Sequence, residues 1–258
     1  MKYLIHALTS SSLLASSLSG AIITATDASF ATTASPDDIR VSNVLQTYTN
    51  SQGSFTNLSG VTEADVTTGS PYFRAYWAID IADGDRKLDS TALLGMDIGY
   101  GVIDLVSADF QFGGLVGDGD NTNGNDIVLF EIGSLDAGTT IVPLNSAGDV
   151  IGDFTLSLGT SNWGTITQVI DFNLIADSGN LGSGYTGIIN AVGFDLGDFT
   201  GTGELTGVTG IRITSSDSLD LGIAAATVTP IPEPQTYALL SGILALAWIA
   251  IRQRQRQE

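Results

Sequence analysis

Nine consecutive residues, Asp118-Gly119-Asp120-Asn121-Thr122-Asn123-Gly124-Asn125-Asp126, carry three carboxylates and three side-chain amides. All are hard oxygen donors, the kind that calcium gathers in sixfold to eightfold coordination. Asp118, Asp120, Asn123, Asn125 and Asp126 are the candidate ligands, and calcium is the cofactor they would suit. The order is not that of an EF-hand: counted from Asp118, the glycine falls at the seventh place instead of the sixth, and the twelfth residue is Leu129. A second reading stands beside the first, a polar hairpin loop turned by Asn123-Gly124. Asp80, Asp83 and Asp85 form a poorer group, because Arg86 and Lys87 follow directly and could neutralise it.

Other chemistry is narrowly bounded. The chain has no cysteine, and its one histidine is His6. The rest of the chain therefore holds neither a Ser-His-Asp nor a Cys-His nucleophile system, nor an ordinary zinc site. An enzyme would have to work with carboxylates alone, as a glycoside hydrolase pairing Glu63, Glu131 or Glu204 with an aspartate. No spacing marks such a pair, and the expectation is a protein that is not an enzyme. Of two tryptophans that could stack on sugar rings, Trp77 shares an inward row with Phe73 and Ile79, which favours core packing. Trp163, between Asn162 and Gly164, is the one expected at the surface as a carbohydrate contact.

The elements that must hold these residues read as strands. Between residues 32 and 228 helical periodicity is nearly missing and alternation of period two recurs. In Tyr72 to Ile81, Phe73, Ala75, Trp77, Ile79 and Ile81 point one way. Leu94, Met96, Ile98, Tyr100 and Val102 form another row, with glycines opposite that would let a second backbone approach. Phe110 and Phe112 follow. Ile127 to Ile132 is apolar on both faces except at Glu131, which marks a central strand. Further rows are Phe154, Leu156 and Leu158; then Ile166, Ile170, Phe172 and Leu174; then Val192, Phe194 and Leu196; then Ile211 and Ile213; and last Leu219, Leu221, Ile223 and Ala225. Roughly ten strands separated by glycine-rich and Asp/Asn-rich turns predict an all-β fold, an antiparallel β-sandwich of jelly-roll type.

Charge limits the partners. Residues 32 to 231 carry 25 acids against five bases, a net charge of −20. Nucleic acid and anionic lipid are excluded, since both need positive charge. The acids are scattered singly among plentiful apolar residues, so the segment should fold.

The two ends have a different character. Met1-Lys2-Tyr3 precedes a run of small, apolar and hydroxyl residues from Leu4 to Ile23, with no acid before Asp27. This is the layout of a secretory signal peptide, and the domain limits it predicts are 1–31 for the leader and 32–228 for the ectodomain. Small residues at −3 and −1 fit cleavage after Ala31, Ala28 or Ala21. At the other end Thr229-Pro230-Ile231-Pro232-Glu233-Pro234 is held extended by its prolines. An uncharged apolar stretch, Tyr237 to Ile251, predicts one hydrophobic helix, and Arg252, Arg254 and Arg256 form a basic tail that should stay cytoplasmic. Fifteen residues at ~1.5 Å each reach only ~22 Å of a hydrocarbon core of ~30 Å. A stretch so short suits a transient stop-transfer segment better than a lasting anchor.

In residues 229–258 the chain resembles the PEP-CTERM family of exported bacterial proteins. The Pro232-Glu233-Pro234 motif, the helix 237–251 and the tail 252–258 all match, and the run Pro-Glu-Pro-Gln-Thr-Tyr-Ala-Leu-Leu is a specific one. The resemblance implies recognition by an exosortase, a membrane-embedded cysteine protease-transpeptidase, after use of the general secretion machinery. It further implies transient residence in the inner membrane of a Gram-negative bacterium that makes extracellular polysaccharide, then release to or attachment at the cell surface or matrix. Asp195 to Phe199, Gly210 to Ile213 and Asp220 to Ala224 are similar to the closing strands of such ectodomains. Val61 to Asp65 and Asp126 to Glu131 are similar to pieces of their discoidin-like, galactose-binding-type sandwiches. The function expected is a non-catalytic surface or matrix protein associated with extracellular polysaccharide; a calcium-assisted carbohydrate-binding module and a carboxylate-dependent glycoside hydrolase are the alternatives.

Overall fold

A computed structural model describes residues 22–34, 41–68, 94–98, 102–133, 135, 138–168, 170–171 and 186–229. The strand expected at Tyr72 to Ile81, the Asp80/Asp83/Asp85 group, Trp77, the start of the leader and the segment 230–258 lie outside these residues.

The described chain is all-β and antiparallel. Its strands are β1 (Ile23–Ala34), β2 (Val41–Asn50), β3 (Gly53–Phe55), β4 (Leu58–Gly60), β5 (Glu63–Thr68), β6 (Val102–Gln111), β7 (Leu115–Val116), β8 (Ile127–Ile132), β9 (Thr139–Leu144), β10 (Leu156–Leu158), β11 (Gly164–Thr165), β12 (Ile170–Asp171), β13 (Thr186–Gly187), β14 (Ile189–Phe194) and β15 (Gly210–Thr229). Two single 3-10 turns, Thr160–Asn162 and Leu196–Asp198, are the helical pieces among the described residues. One path of hydrogen-bonded neighbours runs β10-β9-β15-β8-β14-β1-β2-β3.

The central strands separate two apolar clusters. In β8, Ile127 and Leu129 enter one cluster, while Val128, Phe130 and Ile132 enter the other. All six residues of β8 are buried, so the run that is apolar on both faces is the central strand its composition implies. In β14, Val192 and Phe194 go to the first cluster and Ile189 and Ala191 to the second. Phe110, Phe154, Leu156 and Trp163 complete the first; Phe30, Leu45, Tyr48 and Ile98 complete the second.

β15 joins the halves of the sheet because it changes neighbours along its twenty residues. Gly210 to Thr214 pair with both β6 and β9, while Leu221 to Ala226 pair with β8 and Ala225 to Thr227 with β4. The register slips between Leu221 and Ile223. A bulge of this kind inserts one residue and reverses the side-chain phase. Leu219 and Leu221 consequently face the first cluster and Ile223 and Ala225 the second, so the single row expected over these four residues is two half-rows.

Two further expectations change, and one expected boundary falls inside a strand. The row from Leu94 to Val102 is not one strand: Gly95 has φ +82, residues 95 and 97 make only isolated bridges, and β6 begins at Val102. The close approach of a second backbone here depends on Gly60 of β4, where a Cβ would collide with the Gly95 carbonyl, and not on Gly95, where a Cβ would meet nothing. β2 and β9 were not marked by alternation; buried Leu45 and Tyr48 in β2 and Ile141 and Leu144 in β9 stand three residues apart. Finally, the leader limit at residue 31 cuts through β1, which pairs with β14 through Ile23 and Thr24 and with β2 from Ala25 to Ala34.

Candidate functional site

The Asp118–Asp126 loop lies between β7 and β8 and is packed against the 3-10 turn that follows β14. The two segments hold each other by reciprocal carboxylate bonds. Asp195 accepts the backbone amides of Gly124 at 3.0 Å and Asn125 at 3.2 Å. Asp126 in turn accepts the amide of Leu196 at 3.0 Å and, with its other oxygen, that of Asp118 at 3.0 Å. Asp198 accepts the amide of Asp195 at 2.8 Å. Main-chain bonds anchor the end of the loop, with Thr227 donating from its hydroxyl to the Asn125 carbonyl and from its amide to that of Asp126.

Of the five candidate ligands, Asp126 and Asn125 are buried, Asn123 is half-buried, and Asp118 and Asp120 are exposed. Asp118 is tied to Asn123, whose side-chain amide donates to it at 2.9 Å, and to the Asp120 amide at 2.7 Å. Asp120 accepts the Thr122 hydroxyl at 2.6 Å. The carboxylates thus organise the loop's own N–H and O–H groups. Among the described residues no group of three or more acids is arranged to hold a metal ion. One acceptor is left over: the buried Oδ1 of Asn125 has no hydrogen-bond partner.

Burial sets the electrostatics of this cluster. Desolvation pushes the Asp126 carboxyl up to about 6, against the pull of its two amide donors. Asp195 and Asp198 are raised for the same leading reason. Asp195 is absent from the set that composition singles out as ligands, because its partners lie 70 and 71 residues away and no local spacing reports them.

Trp163 is not the surface residue its polar neighbours suggest. It is 5% exposed and belongs to the first cluster, with its indole N–H unpartnered. It caps the 3-10 turn Thr160–Asn162 through its backbone amide, which turns the side chain inward. It offers no face to a sugar ring.

A second recess lies on the outer face of β5 and β6. A cavity of about 310 Å³ is lined by Glu63, Asp65, Asp109, Gln111 and the turn 146–148. Asp65 and Asp109 face each other across the strand pair, and Arg212 of β15 grips Asp109 with bonds of 2.6 and 2.7 Å. That bidentate bond is the first reason the guanidinium is held further up. Of the glutamates available to a hydrolase, Glu63 is at this cavity, Glu131 is buried in β8, and Glu204 is exposed on the segment before β15.

No family model, curated protein or solved structure matches the chain. No helix among the described residues is long and apolar enough to cross a membrane.

Proposed function

We propose that the chain is an exported, exosortase-processed protein of the cell surface or extracellular matrix, with a non-catalytic ectodomain of jelly-roll type associated with extracellular polysaccharide. The observation that carries the reading is the uninterrupted succession at the C-terminal end. β15 finishes at Thr229, paired with Leu115 of β7, and Pro230-Ile231-Pro232-Glu233-Pro234 begins with the next residue. A proline-held peptide cannot continue the ladder, so it offers a processing enzyme an extended target beside a folded domain. The apolar stretch Tyr237 to Ile251 and the arginines behind it then serve as a stop-transfer segment. The test is intact-mass analysis of protein recovered from the exterior of the native host. The expected C-terminus lies near Pro234, with residues 237–258 missing; recovery of the full tail overturns the reading.

Calcium binding at the Asp118–Asp126 loop is a second reading, favoured by the buried Asn125 Oδ1 that finds no donor. A cation would satisfy that oxygen. Calcium added to metal-stripped protein should then raise the melting temperature by binding the folded state, and an unchanged melting temperature rejects the site.

A further inference from the structure

We propose that the leader is removed after Ala21, so that the mature chain begins at Ile22. The inference rests on the export reading and chooses among the three positions that small residues allow. Its warrant is what β1 does in the sheet.

β1 is the strand between β14 and β2. Ile23 and Thr24 pair with Gly193 and Val192, and Ala25 to Ala31 pair with β2 from Asn50 back to Val44. Ile23, Ala25, Ala28 and Phe30 are all buried. The Phe30 ring meets that of Phe130 edge-on at 5.7 Å, in the middle of the second cluster. Tyr48, itself fully buried, donates its hydroxyl to the Ile23 carbonyl at 3.3 Å. Asp27 accepts the Thr167 hydroxyl, and the Phe30 amide donates to Gln168, so β1 is also tied to the segment after β11. A glycine is required at position 164 because its missing Cβ would overlap the Ala25 carbonyl.

Cleavage after Ala31 would leave Thr32 to Ala34 as the remnant of this strand. Cleavage after Ala28 would keep Phe30 but strip away every pair with β14. In both cases Val192 and Gly193 of β14 and Tyr48 to Asn50 of β2 would lose their partners, and cleavage after Ala31 would strip Val44, Leu45 and Thr47 as well; buried N–H and C=O groups left unpaired are costly. Cleavage after Ala21 keeps all of it. Ile22, half-buried against the first cluster, becomes the first residue and sits one position ahead of the strand. The leader so defined has 21 residues and ends in Ser19-Gly20-Ala21, small throughout. A leader of about 15–30 residues with a small-residue cleavage site is the ordinary form.

The experiment is export of the full chain from a Gram-negative host, followed by N-terminal sequencing of the exported protein. Ile22 is the expected first residue. A start at Ser29 or Thr32 overturns the assignment and leaves export intact, whereas retention of Met1 in a wholly cytoplasmic pool overturns both together. Two variants sharpen the test. Ala21→Gln should lower the yield of processed protein at least about tenfold, while Ala31→Gln, at an exposed strand position, should leave yield and start unchanged. If Ala21→Gln is still processed and delivers a Thr32 chain as protease-resistant as wild type, β1 is dispensable and the proposal fails.

Discussion

Asp126 and Asp195 each hold the other's loop, and they do so from positions where a carboxylate is costly to ionise. With its carboxyl pushed up to about 6, Asp126 binds a proton more tightly in the folded chain than in the unfolded one. Its contribution to stability is fully present below the ordinary carboxyl pKa near 4 and is lost as pH rises through about 6. Asp195 and Asp198 act with the same sign. Asp153, held down by the amide and hydroxyl of Thr202, acts oppositely but is fully exposed. The folded chain should therefore melt higher at pH 5 than at pH 7.5, with Asp126 supplying about 1 kcal/mol over that interval. Net charge alone also favours lower pH, so the discriminating measurement is the pH slope of the melting temperature in Asp126→Asn. A slope equal to wild type would remove Asp126 from the account. Removing the partner has a different signature. Asp195→Ala leaves the Gly124 and Asn125 amides without an acceptor in a buried place and should cost about 2–4 kcal/mol in urea unfolding. The half-exposed Arg212–Asp109 pair provides the contrast, since Arg212→Ala should cost under about 1 kcal/mol despite its shorter bonds.

At the scale of strands, close approach matters more than propensity. Gly60 of β4 lies against the Gly95 backbone, and a methyl there would meet carbonyl atoms that cannot swing aside. Gly60→Ala should lower stability by about 2 kcal/mol or more, as overpacking does. A Gly60→Ala protein that melts like wild type would mean that β4 and the 94–98 segment separate freely. The same contact shows why part of the fold was legible in sequence and part was not. β8 and β14 announce themselves because six consecutive buried residues favour apolar side chains on both faces, with Glu131 and Asn190 the exceptions. Gly95, with its φ of +82, breaks the strand it was counted into, and the glycine that lets two backbones meet is Gly60, which no alternation marks. β1 is hidden because Ala, Thr and Ser in Ile23–Ala34 continue the composition of the residues before it. The phase reversal at Gly222 is invisible because alternation is written in residue types, and a bulge changes the face without changing the type. At the candidate site the loop's donors were legible as a polar run, while the partner carboxylate Asp195 arrives only through the fold.

Whether the molecule unfolds as one unit follows from how its two clusters are divided. They lie on opposite faces of strands they share, not in separate stretches of chain: β8, β14 and β15 each send side chains to both. There is no cysteine to link the layers, so their coupling must come from these common strands. Phe130 offers the sharpest probe. It is fully buried, belongs to the second cluster, and meets both Phe30 and Tyr48 edge-on. Phe130→Ala should cost about 3–5 kcal/mol, the range for emptying a large aromatic site. If the clusters are one cooperative unit, slow amide hydrogen exchange should accelerate by the same free energy in β9 and β10, which line the first cluster, as in β1 and β2, which line the second. Faster exchange confined to β1 and β2, with β9 and β10 as protected as in wild type, would show that the shared strands do not transmit the loss. The central sheet would then be a partition between two independent cores.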